Sequence, residues 1–139
     1  MAERLTEELL DELIAAPSID AFLDGRPASA PTLPDYLSQL LERKHLKRSQ
    51  VVRMVNLNET FGYQIFKGQR NPSRDKVLQI AFAMALTLRE TNRLLKAAGA
   101  NELYCKDRRD AIIIFSIDHS YSLQKVNEEL YRFGEATLG

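Results

Sequence analysis

Residues 47–72 read KRSQVVRMVNLNETFGYQIFKGQRNP. Val51, Val52 and Val55 recur at helical spacing and predict a helix from about Lys47 to Val55. Asn56-Leu57-Asn58 breaks it. Asn58 is a good N-cap for a second, short helix reaching Phe66, because its side-chain oxygen can take an otherwise unpaired backbone N–H. Gly68 ends that helix, Asn71-Pro72 makes a turn, and Ser73 caps the next helix. The short helix carries Phe61, Tyr63 and Phe66 around Gln64 and Gly62. Three aromatics this close cannot all enter one core stripe. Either Phe61 or Phe66 swings inward to fill the space that Gly62 leaves, or the aromatics form an exposed patch of the kind that anchors protein partners.

Upstream, Tyr36, Leu37, Leu40 and Leu41 form one helical stripe, with Pro34 suited to a first helical turn. Before it, DGRPASAPTLP (24–34) has linker composition. Residues 3–15 place Leu5, Leu9, Leu10, Leu13 and Ile14 at helical spacing among acids, and Pro17 stops that helix. Downstream lies a repeat. Residues 74–99, RDKVLQIAFAMALTLRETNRLLKAAG, align with 109–134, RDAIIIFSIDHSYSLQKVNEELYRFG, at a constant offset of 35. Each copy predicts helix, capped turn, helix and glycine stop. Thr87 with Glu90 forms a capping box, and Lys125 replaces that acid in the second copy. A helical hairpin repeated at this period predicts one hairpin stacked on another. The expected organisation is an acidic helix over 1–16, a linker over 17–33, a helical domain over 34–99 and a C-terminal hairpin over 100–139.

The chain has no net charge, yet its charges are unevenly spread. Residues 1–36 hold two bases against eight acids, and residues 43–76 hold nine bases against two acids. A basic centre of this kind suits a polyanion better than the neutral total suggests. No apolar run approaches the roughly 18 residues of a membrane span. The first residues lack the basic start and apolar run of a signal peptide. Cys105 stands alone, which excludes an internal disulfide framework and fits a reducing cytoplasm. His45 and His119 have no ligands at metal spacing, and neither a phosphate loop nor a nucleophile motif is present. No cofactor, metal or catalytic centre is therefore expected.

The layout of 47–72, helix, tight turn, short helix and then Lys-Gly-x-Arg-Asn-Pro, resembles the helix-turn-helix of phage-repressor and Cro-type (XRE-like) DNA-binding proteins. Val51, Val52, Val55, Leu57 and Ile65 fall where that family packs its two helices, and Asn56 falls at the turn position where it usually has glycine. The resemblance spans about 34–99 and implies a sequence-specific transcription regulator. The implied fold is all-α, a repressor-type helix-turn-helix bundle of about five helices, here extended by the C-terminal hairpin and preceded by the N-terminal helix. The matching base-reading positions are Asn58, Glu59, Thr60, Phe61 and Gln64. Gln64 suits adenine, Glu59 cytosine N4, and Phe61 a thymine methyl. Lys47, Arg48, Tyr63, Lys67, Gln69, Arg70 and Arg74 are the expected contacts to the DNA backbone.

The partners implied are double-stranded DNA and a second copy of the chain. The cluster around Ile113, Ile114 and Ile117, with Leu130, is expected to form the dimer contact. A different function stays open on Gly62, the aromatics and Glu59: a protein-binding adaptor that keeps the scaffold without binding DNA.

Overall fold

Thr32 opens the first long helix. Its hydroxyl accepts the Asp35 N–H at 3.4 Å, and Pro34 sits in the first turn, where a missing N–H leaves no bond unmade. Helix α1 (Leu33–Lys44) ends at His45, whose φ of 55° is left-handed. The computed structural model describes residues 14–15, 31–55 and 57–139, divided into units 1–31 and 32–139. In the first unit Ile14 and Ala15 are helical and exposed. The rest of the expected acidic helix, and the linker up to residue 30, lie outside the described residues. Leu33, expected to close the linker, already belongs to α1.

Six further helices follow: α2 (Arg48–Met54), α3 (Glu59–Lys67), α4 (Arg74–Ala83), α5 (Leu88–Ala97), α6 (Arg108–Asp118) and α7 (Leu123–Arg132). Among the described residues there is no strand, so the fold is all-α. The capping residues named from sequence cap as expected. Asn58 Oδ1 accepts the Thr60 and Phe61 N–H groups at 2.9 and 3.3 Å, and Ser73 Oγ accepts Lys76 N–H at 3.2 Å. Thr87 and Glu90 exchange bonds at 3.2 and 2.9 Å. Ser122 keeps its half of that box by accepting Lys125 N–H at 3.1 Å. Leu37, Leu40, Val51, Ile65, Leu78, Leu94, Ile113 and Leu130 are fully buried and form one continuous core. Within it α1 packs on α3 and α5, and α2 on α3 and α4.

Glu90 does more than cap. Its carboxylate also meets Arg43 and Lys44 of α1, both at 3.2 Å. Burial pushes the carboxyl pKa up, but the Thr87 N–H, Lys44 and Arg43 outweigh that and hold it below the ordinary glutamate value.

The 35-residue repeat is physical. Hairpin 1 (α4–α5) and hairpin 2 (α6–α7) turn through left-handed Ala85 and Ser120, which are equivalent positions. Asn92 Oδ1 accepts Leu103 N–H at 3.0 Å, and Asn127 Oδ1 accepts Leu138 N–H at 2.8 Å. Arg74 donates to Asp110 at 2.7 and 2.9 Å and to the carbonyls of Asn101 and Glu102 at 3.0 and 3.3 Å. Arg109 does the same with Asp75, at 2.9 and 3.2 Å, and with the carbonyls of Ala136 and Thr137 at 2.9 and 3.1 Å. Each arginine therefore ties down the tail of its own hairpin and pairs with the aspartate of the other. Helix contacts are reciprocal too: α4 touches α7, and α5 touches α6. This exchange follows an approximate two-fold axis rather than the one-way stacking of a solenoid.

Burial pushes the Asp110 pKa up, but Arg74 and the Tyr104 N–H outweigh it and hold the carboxyl below the ordinary aspartate value. A carboxyl lowered in the folded state stabilises fully above its unfolded pKa of about 4 and less as pH falls through the lower folded value. Arg74→Leu strands the buried Asp110 carboxylate. We expect it to lower the unfolding free energy by about 3 kcal/mol at neutral pH in urea titrations. Because Asp110 then loses its lowered pKa, the variant should also show a shallower stability loss than the parent on acidification below pH of about 4.

Candidate nucleic-acid interface

α3 presents two unlike faces because Gly62, Ile65 and Phe66 point inward at i, i+3 and i+4. Glu59, Thr60, Tyr63 and Lys67 point out and are exposed, with Gln64 half-buried at the border. Asn58 caps the helix, Glu59 complements its positive end and Lys67 its negative end. Gly68 closes it in the left-handed conformation (φ 80°), which lets Gln69 N–H and Arg70 N–H both bond the Gln64 carbonyl, at 2.8 and 3.2 Å. The following turn is pinned by Asn71 Nδ2, which donates to the Ala98 carbonyl at the end of α5 at 2.9 Å, and by buried Pro72.

Gly62 leaves no hollow, contrary to the expectation from sequence. A Cβ built there would lie 2.7 and 2.8 Å from the two methyls of Val52. The glycine is the point of closest approach between α2 and α3, and Val52 already occupies the space. Phe66 is nonetheless buried, and Phe61 packs half-buried against the core edge. Of the three aromatics only Tyr63 is exposed, and it is covered by cations. The Arg48 guanidinium lies 4.5 Å from its ring centroid and Lys67 Nζ 5.4 Å. Arg70 similarly sits 5.7 Å from the Phe61 ring. These cation–π contacts hold long basic side chains in place over α3. Nothing in the sequence marks the Arg48–Tyr63 pair, since the residues lie on different helices.

The structure brings Lys47, Arg48, Glu59, Thr60, Tyr63, Lys67, Gln69 and Arg70 to the exposed surface of α2, α3 and the turn after α3. Asn56 lies outside the described residues. One sequence assignment changes and another narrows. Arg74 is no backbone contact: its guanidinium is committed to Asp110 and two carbonyls between the hairpins. Asn58 spends its Oδ1 on the Thr60 and Phe61 amides it caps, which leaves its Nδ2 as the side-chain group for the base contact expected of it. The Lys47 N–H is likewise taken, by Gln50 Oε1 at 2.8 Å, so that helix start offers its side chain rather than this amide. Among the described residues no group of His, Cys, Asp and Glu could hold a metal ion, and no helix there is long and apolar enough to cross a membrane.

The expected dimer residues divide in the same way. Ile113 and Leu130 are fully buried in the intramolecular core and cannot meet a folded partner. They are equivalent to Leu78 and Leu95, which are buried as well. Ile114 and Ile117 are half-buried at its margin. No family model, curated protein or solved structure matches the chain.

Gly62→Ala should test the helix contact. Alanine relieves about 1 kcal/mol of helix penalty, while overpacking a branched side chain costs about 1–3 kcal/mol. Val52 is stiff at χ1 and buried, so the clash should win, with a net loss of about 1 kcal/mol. In a urea double-mutant cycle, Val52→Ala with Gly62→Ala should be more stable than the sum of the single changes. A Gly62→Ala protein at least as stable as the parent would contradict this packing.

Proposed function

We propose that the protein is a sequence-specific DNA-binding regulator of transcription. In this reading α2 and α3 act as a helix-turn-helix of the repressor type, and two copies read two-fold related half-sites. The observation that carries it is the outer face of α3. With its inner face closed on Val52, the helix turns Glu59, Thr60, Tyr63 and the edge of Gln64 outward. Around them stand Lys47, Arg48, Lys67 and Arg70, without a neighbouring acid other than Glu59 in the 43–73 stretch. Such a helix fits the major groove, with base edges read by Glu59, Thr60 and Gln64. The flanking cations and Gln69 then neutralise or hydrogen-bond phosphates and set the register. Tyr63, held under Arg48, serves as a rigid groove-edge contact.

The adaptor reading is less favoured because its exposed aromatic patch reduces to one tyrosine. Phe66 is buried and Phe61 half-buried, and Tyr63 lies under two cations.

Selection by the full-length chain from a random duplex library, at about 100 mM salt, tests the proposal. Enrichment of inverted repeats with half-sites about 34–36 Å apart is expected. Lys67→Ala and Arg70→Ala should each flatten the slope of log affinity against log salt by about 1. Gln64→Ala should relax preference at one base step by about 1–3 kcal/mol. No enrichment and no salt dependence would sink the proposal, and a captured protein partner lost on Tyr63→Ala would favour the adaptor.

A further inference from the structure

Two kinds of partner hold arginines in this fold. Arg43, Arg74, Arg108, Arg109 and Arg132 each meet a carboxylate, at distances between 2.7 and 3.4 Å. Arg48 and Arg70 lie instead over aromatic rings of α3. An acid cancels the charge it pairs with, whereas a ring holds the cation and leaves its charge and its N–H donors for another group. Arg48 is the closer of the two, 4.5 Å from the Tyr63 centroid against 5.7 Å for Arg70 over Phe61. Among the described residues no carboxylate or carbonyl takes an Arg48 N–H.

Helix packing dictates that pair. Val52 meets Gly62 where α2 and α3 come closest. Arg48 lies one turn before Val52 on the same face of α2, and Tyr63 follows Gly62. Lys67, one turn beyond Tyr63, brings its Nζ to 5.4 Å from the same ring. Two cations thus converge on one ring that is 44% exposed. Glu59, the only acid in the 43–73 stretch, forms a salt bridge with neither. Like charges gathered in this way repel, and an anion such as a phosphate relieves the repulsion.

We propose that Tyr63 is a positioning residue, whose ring holds the Arg48 guanidinium, before DNA arrives, where a backbone phosphate takes it. The inference rests on the DNA-binding reading above. It separates two parts of the tyrosine: the hydroxyl reaches the groove edge, and the ring orders Arg48. An arginine without that ring gives up its rotamer freedom on meeting the phosphate, so loss of the ring weakens binding although Arg48 and its charge remain.

NMR of the DNA-free, full-length chain should show Arg48 side-chain protons shifted upfield by the ring in the parent and in Tyr63→Phe, but not in Tyr63→Leu. On a random-sequence duplex at about 50 mM salt, Tyr63→Leu should bind about fivefold more weakly than the parent while matching its stability in urea. Tyr63→Phe should bind within about twofold of the parent, because it keeps the ring. Once Arg48→Ala is in place, Tyr63→Leu should cost nothing more. A parent that binds no duplex removes the DNA reading and this inference with it. A parent that binds overturns this inference alone in any of three cases: Arg48 shows no ring shift, Tyr63→Phe loses as much as Tyr63→Leu, or Tyr63→Leu costs the same with and without Arg48.

Discussion

The reciprocal exchange between Arg74–Asp110 and Arg109–Asp75 is the constraint on which the second half of the molecule depends. Each guanidinium uses its planar fork twice, on a carboxylate in the other hairpin and on two carbonyls in its own tail. A buried pair must offset its desolvation through complete hydrogen bonding, and Asp110 has it: two bonds from Arg74 and one from the Tyr104 N–H. By holding residues 101–102 and 136–137, the arginines also let Leu103 and Leu138 enter the core behind them. The same commitment withdraws Arg74 from any role at the surface.

Local rules were legible in the sequence and distant ones were not. Asn58, Ser73, Thr87 and Ser122 act within a few residues of themselves, so their chemistry and position suffice to locate helix starts. Arg74 looks from its neighbours like one more cation at a basic helix start. Its partner lies 36 residues away, beyond the reach of local sequence rules. Gly62 departs from its sequence expectation for a similar reason. A sequence tells that a side chain is missing but not how near the facing helix comes, and here Val52 had closed the gap. Ile113 and Leu130, expected at a dimer contact, are core. Alignment with Leu78 and Leu95 carries the signal that they are core, while the surplus sits two positions beyond Ile113, at Phe115.

The aromatic residues near the middle and the end of the chain obey one principle with opposite outcomes. Around α3, intramolecular packing and nearby cations absorb them: Phe66 enters the core, and Tyr63 and Phe61 lie under arginines. On α6 Phe115 stays exposed, and it stacks instead on His119 beside Tyr121. The duplicated hairpin thus supplies an internal reference state. Whatever is buried in one copy and bare in the other identifies the surface that intramolecular packing leaves unfinished.

The contact between Gly62 and Val52 carries a further consequence, for how this chain can diverge. The two methyls of Val52 stand where the first side-chain carbon at position 62 would go, so neither position is free to drift alone. A descendant that gains a side chain at 62 must shrink at 52 or spread its helices, and one that keeps a branched residue at 52 is bound to glycine at 62. Across any set of descendants the two positions would change together, and that linked pair would trace the spacing of α2 and α3 through sequences in which every other residue of the interface had been replaced.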